Sequence, residues 1–335
     1  MPKATESYSL LPVSHPTLCL ARWIEAATPL WHSHCVVLFF FFLFGIVIGS
    51  FLNVCIARIP EGISIVSPGS RCPRCLTPIK PYDNVPVLGW LWLRGKCRSC
   101  GLPISPMYPL IEFATGLLFV ACYLSFDITP ATFKWLLFVC IIIVLTITDL
   151  RVRLLPDAVN GPGFLAGLIF ALFVPPADGT ANLLNVQIFH NATPERLIGM
   201  LDALIGAAFG SLLLWGAAAA YKLVRGREGM GFGDVKMMAM VGAFVGLRGS
   251  FITILLGTLL GSIIGLALII ALYAIGWKRA LAERASRRGL GKVGSLRWAI
   301  ASQYQLPLGT FLGIGALVVV FLFSSPVINL ATGRR

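Results

Sequence analysis

The sequence predicts an all-α polytopic membrane protein with about eight transmembrane helices and a small zinc-binding loop domain on the cytoplasmic side. Three observations lead to this fold class. Hydrophobic residues make up 57% of the 335 residues, and the mean hydropathy is +0.84. Charged residues make up only 12% and lie mainly between apolar segments. Two Cys-x-x-Cys motifs fall within the one sizeable polar loop.

Eight apolar segments are each near the roughly 20 residues that cross a bilayer as a helix. The fourth is interrupted by Gly161-Pro162-Gly163, and the sixth is short. Such interruptions are tolerated where protein or a water-filled cavity satisfies the backbone, so we expect the fourth span to be broken there. The segments are residues 36–57, 109–126, 133–148, 158–175, 197–221, 237–248, 251–276 and 307–325.

Basic residues predict the orientation of these spans. Four alternate loops hold 20 of the 27 Lys and Arg residues: 58–108, 149–157, 222–236 and 277–306. Because cytoplasmic loops are enriched in Lys and Arg, both termini are expected outside the cytoplasm. The formal charge of +13 lies beside apolar spans, which predicts membrane lipids as partners and no nucleic acid.

The same pattern divides the chain into five parts. Residues 1–35 are expected to form an interfacial segment outside the cytoplasm, with no signal peptide. The first span, 36–57, carries Gly45 and Gly49 at a spacing that favours close helix packing. The loop domain, 58–108, precedes a membrane core, 109–325, which includes the basic loop 277–306. Residues 326–335 form a tail.

Four cysteines in the loop domain form two knuckles that are separated by 21 residues. Four thiolates at this spacing are typical of a tetrahedral structural Zn²⁺ site, and such a site helps to fold a domain that lacks a large core. A pair of disulfides is the alternative, which reducing conditions in the cytoplasm disfavour. The predicted zinc ligands are Cys72, Cys75, Cys97 and Cys100.

Two acids at helix ends are the strongest candidates for a catalytic site. Asp234 lies in Gly231-Phe-Gly-Asp-Val-Lys236, at the mouth of the sixth span, and Asp149 ends the third. An acid near membrane depth indicates a functional site, because ionised side chains are costly there. Alone, Asp234 could also serve as a helix N-cap. The predicted topology puts both acids at the cytoplasmic face, where they could form one site.

Other polar residues near the spans leave alternatives open. Glu112 could assist a site, bind a cation or pair with a basic loop residue. Asn53 could bond a neighbouring helix or touch a substrate, and Lys236 could bias the acid pair or anchor its loop. Asp202 lies near the outer interface and is expected to be solvated. Gly231, Gly233, Lys236 and Glu112 are therefore predicted only as supporting residues.

Several stretches occur in one order along the chain: Gly49-Ser-Phe-Leu-Asn-Val, the four-cysteine loop, Pro103–Glu112, Asp149–Asp157 and Gly231–Lys236, with a weaker similarity at Pro307-Leu-Gly-Thr-Phe. In these stretches the chain resembles the type IV prepilin peptidases, which are leader peptidases and N-methyltransferases of bacterial inner membranes. The resemblance implies that Asp149 and Asp234 are the catalytic pair of an intramembrane aspartic endopeptidase with a Gly-x-Gly-Asp motif.

The resemblance also implies a substrate and a second activity. The substrate would be a prepilin, or a pseudopilin of type II secretion, whose basic leader is cut on the cytoplasmic side. The new N-terminal residue would then be methylated with S-adenosyl-L-methionine. The presence of all four cysteines favours the form with both activities. The implied location is the bacterial inner membrane, with both termini in the periplasm.

A transporter is the main alternative from another functional class. In that case Asp149, Asp234 and Glu112 would relay protons or bind a cation. The absence of a detectable internal repeat and the position of all three acids near one face argue against it. A presenilin-like protease would leave the tetracysteine loop unexplained, and a membrane scaffold would leave the Gly-Phe-Gly-Asp motif without a purpose.

Overall fold

The computed structural model describes residues 16–176, 180, 194–227, 229–274 and 307–323. The basic loop 277–306, the tail 326–335 and most of the loop 176–196 lie outside the described residues. Within the described part the chain is helical and has no strand. The helices are α1 (Pro16–Arg58), α2 (Leu88–Trp92), α3 (Met107–Phe126), α4 (Pro130–Val152), α5 (Asp157–Ala171), α6 (Glu195–Arg225), α7 (Phe232–Ala274) and α8 (Leu308–Phe323), with a 3-10 turn at Pro81–Asp83.

Five of these helices are long and apolar enough to cross a membrane. They contain the segments His34–Arg58, Met107–Phe126, Pro130–Val152, Arg196–Arg225 and Phe232–Leu268. A sixth apolar stretch, Leu308–Leu322, is shorter. Large apolar side chains on α1, such as Phe39, Phe40 and Phe44, face outward as a lipid-facing surface would. The predicted all-α membrane fold is confirmed.

Helix α7 is a sharply folded pair of helices. Gly246 has φ 78° and ψ −170°, a backbone conformation open almost only to glycine. A Cβ at Gly210 would lie 3.0 Å from the Met238 carbonyl oxygen and 3.4 Å from Ser250 Cβ. Residues twelve apart in a straight helix would be separated by about 18 Å. The chain therefore turns back at Gly246, and α7 supplies two antiparallel segments.

Contacts at glycines give the direction of the helices. Gly45 and Gly49 of α1 pack on Gly116 and Glu112 of α3, so these two helices are antiparallel. The same reasoning makes α6 antiparallel to the first half of α7 and α8 antiparallel to the second half. With the short connections between α3, α4 and α5, successive segments alternate in direction. The arrangement corresponds to the eight segments expected from the sequence.

The core lies between α4, α7 and α8. Its largest fully buried side chains include Phe138, Ile142 and Leu145 of α4, which pack with Phe244 of α7 and Leu312 of α8. Close approaches of backbone support this packing, because Gly206 and Gly242 leave no room for a Cβ between α6 and α7. Helix packing inside a bilayer depends on such close contacts, since lipid provides no hydrophobic driving force between helices.

Helix α1 begins at Pro16, before the predicted first span, and its apolar part, His34–Arg58, agrees with that span. Three sequence-based predictions are wrong in detail. Helix α5 runs through Pro162 without a break; this proline lies in the second turn, and its missing N–H leaves only one helical carbonyl without its usual donor. The boundary between the sixth and seventh spans is at Gly246 and not near residue 250. Asp202 is buried, with an exposed fraction of 2%, and accepts a hydrogen bond from Thr180.

Candidate active site

Asp149 lies in the last turn of α4 and is 6% exposed. The helix ends at Val152, and the next residue, Arg153, adopts the left-handed conformation. The Arg153 N–H donates to the Asp149 carbonyl oxygen at 2.9 Å. This tight C-terminal turn is followed by the connection to α5. The side chain of Asp149 consequently points into the protein at the end of a span.

Asp234 lies in the first turn of α7 and is 8% exposed. Its N–H donates to the Gly231 carbonyl oxygen at 3.2 Å, so the residue is inside the turn and does not occupy the N-cap position. Gly233 packs against Leu155 so closely that an added Cβ would lie 3.1 Å from Leu155 Cβ. Gly231 is exposed beside the carboxylate. The motif thus begins a helix at a point where the backbone must approach its neighbour.

The N-terminus of α8 brings the two acids together. A Cβ built on Gly309 would lie 3.0 Å from Asp149 Oδ2 and 3.1 Å from Asp234 Oδ1, so these oxygens are at most about 6 Å apart. The Leu155 Cδ1 atom is 3.0 Å from the same point. Two carboxylates, one apolar side chain and a glycine without a side chain therefore surround a small space at one end of the bundle.

Thr310 holds one of the two carboxylates. Its backbone N–H donates to Asp149 Oδ2 at 2.7 Å, and its hydroxyl donates to the same oxygen at 3.1 Å. The hydroxyl also lies 3.2 Å from the Thr146 carbonyl oxygen. Asp149 is therefore fixed by a helix that begins 159 residues after it in the chain.

Lys236 anchors the loop that precedes α5. Its Nζ lies 2.6 Å from Asp157 Oδ2 and 5.4 Å from the centroid of the Phe232 ring. Both charged side chains are partly exposed to solvent. Of the two roles that the sequence left open for Lys236, these contacts favour anchoring.

Glu112 connects the loop domain to the membrane bundle and does not join the acid pair. Its Oε2 accepts a hydrogen bond from the Val87 N–H at 2.7 Å. Val87 has φ 60°, which is unfavourable for a β-branched residue, so this loop position is constrained by its surroundings. Next to it, Asn53 Nδ2 donates to the Tyr108 carbonyl oxygen at 3.0 Å. Of the two alternatives that the sequence left open for Asn53, this contact favours bonding to a neighbouring helix.

The four loop cysteines form a compact cluster. Their sulfur atoms all lie within 4.8 Å of one another, and the pairs Cys72–Cys100 and Cys75–Cys97 are each 4.0 Å apart. Four sulfurs bound to Zn²⁺ at about 2.3 Å in a tetrahedron would be separated by about 3.8 Å. All four thiols are free, so the disulfide alternative is wrong. The cluster fits a metal ion of the size and geometry of zinc.

The two knuckles of this cluster are near copies. In the first, the Cys72 N–H donates to the Thr77 carbonyl oxygen at 3.0 Å, and in the second, the Cys97 N–H donates to that of Leu102 at 2.9 Å. Leu76 and Gly101 occupy the same place in each and share a left-handed backbone, with φ 59° and 70°. Each of these two turns directs its two thiols toward the centre of the cluster, where the four sulfur atoms meet.

Beyond the knuckles, polar contacts hold the loop. Arg98 Nε and Nη2 donate to the two carboxylate oxygens of Asp83 at 2.8 and 2.5 Å. These hydrogen bonds from Arg98 lower the pKa of Asp83 below its usual range. Trp90 Nε1 donates to the Ile104 carbonyl oxygen at 3.1 Å. The loop is thus closed by a few specific bonds in addition to the cysteine cluster.

Three residues of this region were not singled out from the sequence. Thr310 lies in Pro307-Leu-Gly-Thr-Phe, where only a weak similarity was visible, and Leu155 and Val87 lie in stretches with a clear similarity in which nothing marked either residue individually. A proline immediately before an apolar helix is a start signal and could have drawn attention to Thr310. The contacts of Leu155 and Val87 arise from tertiary structure alone.

Two family models match most of the chain. Residues 43–126 match the bacterial Peptidase A24 N-terminal domain, and residues 136–266 match the type IV leader peptidase family. No solved structure matches the chain significantly.

Similar proteins include three from bacteria that are each named prepilin leader peptidase/N-methyltransferase. The protein from Aeromonas hydrophila is 38% identical in an alignment 253 positions long, which covers 68% of this chain and 80% of that protein. The protein from Klebsiella pneumoniae is 38% identical over 65% of this chain and 90% of its own length. The protein from Neisseria gonorrhoeae is 32% identical over 68% of this chain and 80% of its own length.

These similarities cover the loop domain and the segments that carry Asp149 and Asp234. They leave the transporter alternative without support. The matched residues and the identities to relatives agree on one assignment: the chain belongs to the type IV leader peptidase family.

Proposed function

We propose that this chain is a prepilin leader peptidase and N-methyltransferase of the bacterial inner membrane, with Asp149 and Asp234 as its catalytic pair. The observation that carries the proposal is the convergence of the two carboxylates on one point above Gly309. Three helix ends meet there, and the relatives that are similar over most of this chain carry the corresponding name. The substrate would be a prepilin or a pseudopilin.

The chemistry follows from the pair. Two carboxylates this close and this buried do not readily ionise together, so one keeps a proton and the other acts as a base. The base takes a proton from a water molecule, whose oxygen attacks the scissile carbonyl carbon. The protonated carboxyl donates to the carbonyl oxygen and stabilises the charge that develops. When the intermediate collapses, the leaving amine takes a proton and the carbon–nitrogen bond breaks.

The site is proposed to face the cytoplasm. The end of the bundle that holds both acids also carries Arg151, Arg153 and Lys236, and the C-terminal turn of α6 at Lys222 and Arg225 lies at this end. Cytoplasmic ends are the basic ends of membrane proteins. An even number of alternating segments then puts both termini on the periplasmic side.

Two further groups belong to the proposal. Zinc bound by Cys72, Cys75, Cys97 and Cys100 would hold the loop domain in its fold, and its role would be structural because all four positions of a tetrahedron are filled by protein. Methyl transfer from S-adenosyl-L-methionine is proposed from the names of the relatives, and no step is assigned to a particular residue.

Co-expression with a candidate prepilin and, separately, with a pseudopilin tests the proposal. Mass analysis of the product N-terminus should show a protein that has lost its basic leader and gained about 14 Da, the mass of the CH₂ added by one methylation. A prepilin that remains full-length beside the well-expressed enzyme, for every substrate tried, would refute leader peptidase activity. Cleavage without the mass gain would refute methyl transfer alone.

A further inference from the structure

The two acids of the pair have different hydrogen-bond environments. Asp149 Oδ2 accepts two hydrogen bonds from Thr310, one from the backbone N–H and one from the hydroxyl. In the part of the chain that the structure describes, no donor lies within hydrogen-bond distance of the Asp234 carboxylate. The pair is therefore asymmetric, although both side chains are buried to a similar degree.

Thr310 is well placed to stabilise a negative charge. It is the third residue of α8, so its N–H is one of the groups that have no acceptor inside the helix, and the helix dipole is positive at this end. Thr310 is 6% exposed, which protects its bonds from competition with water. Arg153, a cation, follows Asp149 by about one turn, at the C-cap of α4. All of these groups favour the ionised form of Asp149.

The hydrogen bonds that the described residues donate to the Asp149 carboxylate all go to one of its two oxygens. Both donors from Thr310 go to Oδ2, which also lies beside the space above Gly309, so neither of them occupies Oδ1. The proton from water would therefore go to Oδ1. Asp234 Oδ1 faces the same small space above Gly309 and lacks a donor, which suits a carboxyl that itself carries a proton. Because Thr310 of α8 binds Asp149 and not Asp234, Asp149 is suited to be the base and Asp234 the acid.

We propose that Thr310 is a positioning residue that keeps Asp149 ionised as the water-activating base, while Asp234 holds the proton. This inference rests on the proposed function, because it assigns roles within the same catalytic pair. In the first step, Asp149 Oδ1 takes a proton from water as the water oxygen bonds to the scissile carbonyl carbon, and Asp234 gives its proton to the carbonyl oxygen. In the second, the carbon–nitrogen bond breaks, the proton on Asp149 passes to the leaving amine, and Asp234 recovers its proton from the hydroxyl.

The test compares two substitutions at one position in the full-length protein with a purified prepilin as substrate. Thr310→Val removes the hydroxyl and keeps the shape, whereas Thr310→Ser keeps the hydroxyl and removes a methyl. A hydrogen bond to a charged group is strong enough that its loss should lower kcat about 10- to 100-fold in Thr310→Val. KM should change little, and Thr310→Ser should retain kcat close to that of the wild type.

Unfolding temperature and the Asp149→Asn variant complete the experiment. The two Thr310 variants should unfold at similar temperatures, so that a difference in kcat reports on the hydroxyl. If Thr310→Val does not fold, Thr310→Ala takes its place with the same expected loss. Wild-type kcat in the hydroxyl-free variant, or equal damage in Thr310→Ser, overturns the inference. If Asp149→Asn cleaves the prepilin at the wild-type rate, the catalytic pair of the proposed function is refuted. If Asp149→Asn is inactive while Thr310→Val is fully active, only the role of Thr310 is refuted.

Discussion

The loop domain and the membrane bundle of this protein are stabilised in different ways. Of residues 58–108, only Cys72, Gly89 and Gly95 are buried. The bundle instead has a continuous apolar core and helices that meet at glycines. A loop of this size with almost no core cannot gain enough from hydrophobic burial to fold alone, so the cysteine cluster, with the zinc ion that we propose for it, and a few hydrogen bonds would provide the remaining stability.

Because of this difference, a change can disable one region while the fold of the other stays intact. The acid pair lies in the bundle, and the cysteine cluster lies in the loop. Described side-chain bonds from the spans into the loop include those of Glu112 with the Val87 N–H and of Arg58 with the Ser64 carbonyl oxygen. Changes in one region should therefore leave most properties of the other intact, and four experiments test this separation.

The largest expected effect is on the acid pair. Asp149→Asn and Asp234→Asn should each lower the rate of leader cleavage by about 10²- to 10⁴-fold, because an amide cannot act as a base or an acid. Residues that act as one unit are not additive, so the double variant should be hardly slower than either single one. The measurement is the cleavage rate of a purified prepilin, together with the zinc content.

Asp157→Asn is the matched control for the acid pair. Asp157 is a carboxylate at the same end of the bundle, but it is exposed and paired with Lys236. An exposed ion pair contributes about 0–1 kcal/mol, so cleavage should change only a few-fold. Equal losses in Asp157→Asn and Asp149→Asn would show that any charge change at this end disables the enzyme and that the pair is not special.

The second effect should be confined to the loop. Cys72→Ser removes one of the four proposed zinc ligands, and structural zinc contributes about 10–16 kcal/mol of apparent binding energy in small peptides. Zinc content should fall from about one ion per chain to near zero, and residues 58–108 should become sensitive to protease while the spans stay inserted. Elemental analysis and limited proteolysis measure both. Cys35→Ser, at an exposed free cysteine of α1, should change neither.

The third effect should be confined to the bundle. A Cβ at Gly206 would lie 2.5 Å from the Gly242 carbonyl oxygen, so Gly206→Ala forces α6 and α7 apart and should cost about 1–3 kcal/mol of unfolding free energy. Gly216→Ala, in the same helix, meets nothing within 4 Å and should stabilise the helix by about 0.5–1 kcal/mol. Thermal unfolding in detergent measures the opposite shifts. Zinc loss in Gly206→Ala would contradict the separation of the two regions.

The smallest effect concerns the ion pair that closes the loop. Arg98→Gln removes both hydrogen bonds to Asp83 and should make the loop slightly more sensitive to protease than Lys96→Gln, its neighbouring control. The pKa of Asp83 is lowered by Arg98, so the pair stabilises the loop above the ordinary Asp pKa of about 3.9 and loses this effect as pH falls through the lowered pKa. The difference between the variants should therefore be constant from pH 6 to 8. A strong change within that window would contradict this assignment.

Local signals were sufficient for the parts of the molecule that a short stretch encodes. The two cysteine knuckles and the Gly231–Lys236 motif are visible because every residue that matters lies within a few positions of the others. The contact between Thr310 and Asp149 joins residues 161 apart, and no local pattern encodes it. Asp202 was expected to be solvated because it lies near the outer interface, whereas in the structure it is buried and accepts a hydrogen bond from Thr180.

The sequence also did not predict where the backbone reverses or whether a helix continues through a proline. Apolar periodicity predicted two spans within residues 237–276, but it could not show which glycine would reverse the chain. Gly246 does so because α6 packs against both Gly242 and Gly246 through Gly206. Helix α5 continues through Pro162 because this proline lies early in the helix, in the second turn. Sequence patterns locate a helix start only to within one or two residues, so they could not show how early the proline lies.

Helix α5 has a consequence for the membrane around the protein. Its 15 residues make it about 22 Å long, which is less than the roughly 30 Å of hydrocarbon in a typical bilayer. A lysine lies near each end: Lys236 pairs with Asp157 at the start, and Lys134 donates to the Val174 carbonyl oxygen at 3.0 Å just beyond the end. Leu165 and Ile169 between them face outward. Such hydrophobic mismatch is relieved by thinning of the bilayer, so headgroups and water are expected to sit deeper beside α5 than beside α1. The membrane itself would then bring water toward the end of the bundle where Asp149 and Asp234 lie.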